Sequence, residues 1–301
     1  MIVRRVVIGV LVATAWFLGL CYMPGSMLFL VLLLMCCACQ YEFYSMMRRS
    51  GHPVSRNYGM VMGVVWLVAC YAYPPYAARE LPVGHQFETL VLSSLTFVLF
   101  LRVLFDARIK KPVEHAGVTL LGFFYIPFML SFFIRLAQWG ASGMFEMPCA
   151  RGGVYLASYV AAVVKFGDIG GFTFGTLIGR HRLFPRVSPK KSWEGLFGGL
   201  LFSMAASVLM IWAARRFAWL PHCPLRELSL MHALALGVVL AAVGALGDLV
   251  ESMFKRASGF KDSSGLLHES GGILDMFDSL VFTPAALYFY LAWFIGQAVC
   301  A

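Results

Sequence analysis

Apolar runs close to the length that crosses a lipid bilayer recur along the whole chain. A membrane helix needs about 20 apolar residues, and lipid offers no hydrogen-bond partner to backbone outside helices and closed barrels. The period-2 alternation of a membrane barrel is absent. We therefore predict an all-α polytopic integral membrane protein with about nine transmembrane helices. They are Val6–Tyr22, Ser26–Cys39, Tyr58–Tyr73, Thr89–Leu104, Val118–Leu136, Val154–Ile178, Leu196–Trp212, His232–Met253 and Ser279–Val299.

The composition agrees with this class. Of the 301 residues, 60% are hydrophobic and 13% are charged, whereas soluble domains carry about 25% charged residues. No stretch between the apolar runs is long enough for a separate soluble domain. We divide the chain into N-terminal transmembrane helices, 1–150, and C-terminal transmembrane helices that carry the polar motifs, 151–301.

The basic residues predict the orientation. With the N-terminus in the cytoplasm, 16 of the 24 Lys and Arg residues lie on the cytoplasmic side and five on the other side, as the positive-inside rule requires. This bias accounts for most of the net charge of +9, and we predict no nucleic-acid partner. The absence of a transit peptide favours a bacterial inner membrane, with the polar motifs facing the cytoplasm.

The segment from Asp248 to Asp278 is the exception in this apolar chain. It holds six of the 15 acidic residues and three of the 24 basic ones. Asp248, Glu251 and Lys255 have the spacing of one helix face, and Asp275 and Asp278 repeat the three-residue step. Charged groups at the edge of a membrane are costly without a partner. The cluster therefore indicates a functional site.

Divalent metal and phosphate are the ligands that such a segment suits. Two carboxylates of one helix and one of the next could converge on Mg²⁺, which prefers a few carboxylates together with water and phosphate oxygens. Gly271 and Gly272 precede a helix whose free N–H groups suit a phosphate. The alternative is structural: Glu251 and Lys255 as a surface pair, and the basic residues as topology anchors. The sequence contains no dinucleotide fingerprint, no phosphate loop and no pair of C-x-x-C motifs of the kind that forms a zinc site.

The same segment resembles a known signature. The pattern S-x-x-K-R-x-x-x-x-K-D, followed by G-G-x-x-D-x-x-D, resembles the C-terminal motif of the phosphatidate cytidylyltransferase (CDP-diacylglycerol synthase) family. Upstream, Ser188–Gly195 is similar to the family's other basic motif and Asp168–Gly171 to its glycine-rich stretch. The resemblance covers residues 165–280. Two positions depart from it: Ser270 stands where the family has His, with His268 two residues before it, and Met276 stands where it has Arg.

The resemblance implies that CTP and phosphatidate react to give CDP-diacylglycerol and pyrophosphate. It also implies Mg²⁺, with a second cation left open, and a homodimer. The expected metal ligands are Asp248, Asp275 and Asp278. The expected catalytic residues are Lys261 and Asp262, and by the same resemblance Asp262 joins the metal ligands, directly or through water. The expected substrate-binding residues are Ser252, Lys255, Arg256, Lys190, Lys191, Asp168, Gly271 and Gly272. Glu251 and Glu269 are left without a role.

Two other functions stay open from the sequence. A CTP-dependent kinase of a polyprenol or similar lipid alcohol would use the same acids and lysines, but it would release CDP. An ion-coupled transporter would use Lys165, Asp168 and Asp248 as a relay. The acids lie at the cytoplasmic edge rather than at the midplane where transporters bind their substrates, which counts against transport. Lys165 and Asp168 could also be only a structural ion pair, and Lys190 and Lys191 only interfacial anchors.

Overall fold

A computed structural model describes residues 25–72, 83–139, 150–216, 224–260 and 272–294. Helices dominate these ranges. The α-helices are α1 (Gly25–Arg49), α2 (Arg56–Ala72), α3 (Val83–Phe105), α4 (Pro112–Phe123), α5 (Met129–Ala137), α6 (Ala150–Leu177), α7 (Trp193–Arg216), α8 (Leu230–Ala257), α9 (Ile273–Phe277) and α10 (Thr283–Phe294). A π-helical turn, Phe124–Phe128, joins α4 to α5, and a 3₁₀ turn, Asp278–Leu280, lies between α9 and α10.

Seven helical segments in the described ranges are long and apolar enough to cross a membrane. They include Pro112–Ala137, which runs through the π-helical turn, and Ile273–Phe294, which runs through the 3₁₀ turn. The all-α polytopic membrane fold is thus confirmed. The predicted span Val6–Tyr22 lies outside the described residues, and α2 has only 17 residues. The count of nine stays a prediction.

The second helix is longer than the sequence predicts. We expected it to end at Cys39, where Gln40 and Glu42 interrupt the apolar run, but α1 continues to Arg49. Both polar side chains are buried, and the Gln40 amide donates a hydrogen bond to the Gly59 carbonyl of α2 at 3.1 Å. The prediction was wrong because these residues are paired inside the protein, where a polar group costs little.

A small β-hairpin was not predicted. Strands β1 (Arg182–Phe184) and β2 (Ser188–Ser192) pair antiparallel, with Arg182 opposite Ser192. The hairpin leads directly into α7, which begins at Trp193. It therefore fixes where the basic motif Ser188–Gly195 lies relative to the membrane helices.

Glycines let α6 and α7 pack closely. A Cβ atom on Gly170 would lie 2.6 Å from the Gly198 carbonyl oxygen, and one on Gly198 would lie 2.5 Å from the Phe174 side chain. Small residues at helix interfaces allow such approach in membranes, where the hydrophobic effect adds little to helix association. The glycines around Asp168 thus serve helix packing.

Both predicted halves of the chain share one hydrophobic cluster, which runs from Leu28 of α1 to Leu291 of α10. Near the end of α8 that carries the polar motif, the Phe43 ring meets the Phe254 ring edge-on at 5.5 Å. Nearby, the Ser50 hydroxyl donates to the Ser258 carbonyl at 2.9 Å. The N-terminal helices therefore pack directly against the C-terminal motif.

A buried ion pair links α3 to α5. The Arg135 guanidinium donates to the Glu88 carboxylate at 2.9 Å, and both side chains are less than a tenth exposed. Arg135 also lies 3.9 Å from the Cys70 sulfur of α2. Removing one member of such a pair leaves a buried charge without its partner.

The substitution Arg135→Met should therefore lower the free energy of unfolding by about 3–5 kcal/mol. Thermal unfolding of the purified protein in detergent measures this change. The double variant Arg135→Met/Glu88→Met should recover most of the loss, since neither charge remains. A single variant as stable as the parent protein would show that the pair contributes nothing.

Candidate active site

Three carboxylates converge where α8 meets the 3₁₀ turn. Asp248 and Glu251 of α8 and Asp278 of the turn each offer an oxygen, and these oxygens lie within 4.8 Å of one another. A Cβ on Gly247 would lie 2.6 Å from the Asp278 carbonyl oxygen. Only glycine at this position allows the turn to approach α8 so closely. We call these three residues the carboxylate cluster.

Glu251 is the most constrained member of the carboxylate cluster. Its side chain is fully buried, and the charged side chains next to it are those of Lys255 and Asp275. The Lys255 ammonium lies 2.5 Å from one of the Glu251 oxygens. A buried carboxylate beside two others is unfavourable unless cations compensate it. The cluster therefore suits positively charged ligands.

The basic motif of the hairpin meets the acidic motif of α8. Lys191 of β2 places its ammonium 2.8 Å from the Asp248 carboxylate and donates to the Ala245 carbonyl at 3.0 Å. On the other side of Asp248, the Ser252 hydroxyl donates to the carboxylate at 3.4 Å. Three predicted residues from separate motifs thus lie together. Lys191 is held as an ion-pair partner and does more than anchor the chain at the interface.

Asp275 takes a different position from the one the sequence suggests. Its carboxylate lies 2.9 Å from the Lys255 ammonium, and its other oxygen accepts the Gly272 N–H at 2.6 Å. This bond is that of a helix cap, in which the third helical residue reaches back to the residue before the helix. Glu251, which had no predicted role, is in the carboxylate cluster, and Asp275 lies beside it across Lys255.

The N–H groups at the start of α9 donate to Glu42, a residue to which we assigned no role from the sequence. The N–H groups of Ile273 and Leu274 donate to the two oxygens of Glu42 at 3.0 and 2.9 Å. Glu42 is buried on α1. Together with the Gly272–Asp275 bond, this leaves the predicted phosphate site at the start of α9 filled by the protein's own carboxylates. A lone acid within an apolar span was the signal for Glu42.

Asp168 lies on the far side of the turn. The predicted ion pair with Lys165 is present at 3.0 Å, and the Ser279 hydroxyl donates to the same Asp168 oxygen at 3.0 Å. The Lys165 ammonium also donates to the Met276 carbonyl at 3.0 Å. These bonds tie α6 to the turn that carries Asp278. Met276, which replaces an Arg of the family pattern, contributes its backbone here while its side chain is exposed.

The remaining predicted residues lie at the edge of the site or beyond it. Lys190 and Arg256 are exposed, and the Lys190 carbonyl accepts a 3.3 Å hydrogen bond from Arg182. Lys261, Asp262 and Gly271 lie outside the described residues, as do His268 and Ser270. Their predicted roles stay predictions.

The charges of this region are unbalanced. Five carboxylates, those of Asp168, Asp248, Glu251, Asp275 and Asp278, are joined by three ammonium groups, those of Lys165, Lys191 and Lys255. Among these described side chains the formal excess is two negative charges, and hard oxygen ligands are what Mg²⁺ prefers. The donor set of the carboxylate cluster thus fits one divalent cation.

The chain is similar to known proteins. A model of the cytidylyltransferase family matches residues 3–294. Phosphatidate cytidylyltransferase of Haemophilus influenzae is 39% identical over 139 residues, which is 46% of each chain. The Staphylococcus haemolyticus protein of that name is 37% identical over 149 residues, 50% of this chain and 54% of its own. The match thus spans about half the length of these curated relatives.

The substitution Glu42→Ala should loosen the start of α9. It leaves the N–H groups of half-buried Ile273 and buried Leu274 without an acceptor, at a cost of about 1–3 kcal/mol for a fully buried group. Hydrogen exchange followed by mass spectrometry should show faster exchange in the peptide that contains α9. Glu227→Ala, at an exposed position, is the matched control. Unchanged protection of α9 in Glu42→Ala would contradict the capping role.

Proposed function

The chain belongs to the cytidylyltransferase family, and we propose that it is a phosphatidate cytidylyltransferase. It would join CTP to phosphatidate, giving CDP-diacylglycerol and pyrophosphate. The observation that carries this proposal is the convergence of Asp248, Glu251 and Asp278 between two lysines, Lys191 and Lys255. Lys191 comes from the basic motif Ser188–Gly195, and the other four residues come from the segment from Asp248 to Asp278.

The chemistry is a nucleotidyl transfer between two anions. A phosphate oxygen of phosphatidate attacks the α-phosphorus of CTP, a new phosphorus–oxygen bond forms, and the bond to the β-phosphate breaks so that pyrophosphate leaves. Positioning and neutralisation of charge supply most of the catalysis in such transfers. The protein must therefore bring two phosphate groups together in a site already rich in carboxylates.

Mg²⁺ is the cofactor that would make this possible, held by Asp248, Glu251 and Asp278. When bound, it would neutralise negative charge on the phosphate groups. The excess of two negative charges among the described residues and the burial of Glu251 beside Asp248 and Asp278 support this assignment. Asp275 would act indirectly in this proposal, by holding Lys255.

The lysines would contact the substrates. Lys255 is held between Glu251 and Asp275, and Lys191 is held against Asp248. A cation bound at the carboxylate cluster would compete with each ammonium for its carboxylate. Each ammonium would then be released to shift towards a phosphate group. Lys190 and Arg256 are exposed, and in this proposal they would attract anions towards the site before binding. Lys261 and Asp262 keep the roles that the resemblance implies.

The membrane setting fits a lipid substrate. Because the excess of Lys and Arg lies on one side of the apolar helices, we propose that the site faces the cytoplasm, where CTP is present. The similar curated proteins are bacterial, and we propose the bacterial inner membrane as the location. A homodimer is proposed on the family resemblance alone.

The test of the reaction uses purified protein in detergent with Mg²⁺, phosphatidate and CTP labelled on the α-phosphate. We expect label in a CDP-lipid and release of pyrophosphate. With a polyprenol as acceptor and CTP labelled on the γ-phosphate, we expect no labelled lipid, whereas a kinase would produce one. Absence of turnover with phosphatidate under all metal conditions would contradict the proposal.

The substitution Asp278→Asn should lower kcat by at least about 100-fold, because it removes charge where the phosphate groups are neutralised. The loss should persist at saturating CTP and phosphatidate. Asp106→Asn is the matched control, since Asp106 pairs with Arg108 away from the cluster. Activity of Asp278→Asn near that of the control would remove Asp278 from the site.

A further inference from the structure

Tyr125 lies on the π-helical turn Phe124–Phe128 between α4 and α5. Pro127 lies within this turn and cannot donate a backbone hydrogen bond to the preceding turn, which favours a local widening of the helix. Three consecutive residues of the turn, Tyr125, Ile126 and Pro127, are buried. Tyr125 therefore faces the interior of the protein.

The Tyr125 ring is wedged between the two segments that supply the carboxylate cluster. It meets the Phe254 ring of α8 edge-on at 5.2 Å and the Phe282 ring at 5.7 Å. Phe254 lies three residues after Glu251, and Phe282 lies four residues after Asp278. Each contact is therefore about one helical turn from a member of the cluster.

The Tyr125 hydroxyl is buried without a hydrogen-bond partner among the residues that the structure describes, and the residue is only 4% exposed. A hydroxyl in such a place normally finds a partner, because leaving it unpaired is unfavourable. The ring contacts of Tyr125 are with Phe43, Phe254 and Phe282. A phenylalanine at this position would make the same contacts. Packing alone therefore does not account for the oxygen atom.

The contacts with Phe254 and Phe282 hold the Tyr125 ring about one helical turn from Glu251 and Asp278. The hydroxyl is therefore near the negative charges of the carboxylate cluster, which act on it. A hydroxyl can donate one hydrogen bond, and a ligand held by these acids would offer oxygen atoms as acceptors. Both candidate occupants, a hydrated divalent cation and a phosphate group, have such atoms.

We propose that Tyr125 is a positioning residue of this site, whose hydroxyl donates a hydrogen bond to an oxygen of the ligand held at the carboxylate cluster. The inference rests on the proposed function for its reaction but concerns a residue outside the motifs that resemble the family. It assigns the N-terminal half of the chain a direct part in the site. The acceptor is a water of the hydrated cation or a phosphate oxygen of a substrate.

The test is Tyr125→Phe, which keeps the ring and removes only the oxygen. We expect kcat to fall by about 10- to 100-fold, as when an outer hydrogen-bond partner of a metal site is lost. Mn²⁺ binding without nucleotide, followed by electron paramagnetic resonance, identifies the acceptor. If the acceptor is a water of the cation, Mn²⁺ binds about 10-fold more weakly. If it is a phosphate oxygen, Mn²⁺ binding is unchanged, and the KM for CTP or for phosphatidate rises with the fall in kcat.

The control is Tyr44→Phe. The Tyr44 hydroxyl is equally buried, but it donates to the Thr119 carbonyl at 2.8 Å. This variant should lower the thermal unfolding midpoint and leave kcat, both KM values and Mn²⁺ binding unchanged. Tyr125→Phe should show the reverse pattern, because it removes an unpaired polar group.

Two results would overturn the proposal. One is a Tyr125→Phe variant that matches the parent protein in kcat, both KM values and Mn²⁺ binding. The other is an equal kinetic loss in Tyr44→Phe, which would assign the effect to stability. If the parent protein shows no turnover, the proposed function fails, while the Mn²⁺ comparison still decides whether Tyr125 acts on a bound cation.

Discussion

The burial of Glu251 beside Asp248 and Asp278 is the constraint on which the rest of the site depends. Three carboxylates with oxygens within 4.8 Å of one another repel, and the low-dielectric surroundings strengthen that repulsion. Lys191 of the hairpin before α7 pairs with Asp248, and Lys255, one helical turn after Glu251 in α8, pairs with Glu251. The two lysines reduce the charge without cancelling it, which is the condition under which a divalent cation binds.

The N-terminal helices take part in this arrangement. Glu42 of α1 caps α9, the short helix that ends beside Asp278. Phe43, the next residue, packs against Phe254 of α8, and Tyr125 fills the space between α8 and Phe282. The segment with no recognisable motif thus supplies the support that fixes the spacing of the motif residues. Its contribution depends on a few buried polar atoms in otherwise apolar helices.

The sequence predicts the fold class and the convergence of separate motifs well, because both depend on local patterns. Apolar length identifies the helices, and the three-residue step between Asp248 and Glu251 places both on one face of α8. It does not predict the helix cap made by Asp275, because α9 is only five residues long and passes into a 3₁₀ turn. The carboxylate of Asp275 therefore caps its own helix instead of following the face of Asp278. A Gly before a helix with Asp three residues later was the available signal for that cap.

Other misses have a different cause. Gln40 and Glu42 look like the end of a membrane span, because polar side chains in a sequence are usually expected to face water. In the structure, the Gly59 carbonyl and the N–H groups at the start of α9 are their hydrogen-bond partners. Tyr125 carries no local signal apart from Pro127, because its neighbours Phe254 and Phe282 are more than 120 positions away along the chain. Contacts of this kind are set by packing between helices, which a single sequence does not encode locally.

The most direct measurement of the central claim is anomalous diffraction from crystals grown with Mn²⁺ and a non-hydrolysable CTP analogue. The account predicts a manganese peak in contact with carboxylate oxygens of Asp248, Glu251 and Asp278, with a phosphate of the analogue on the same ion. A peak held by other residues, or bound nucleotide with no metal at the carboxylate cluster, would contradict it.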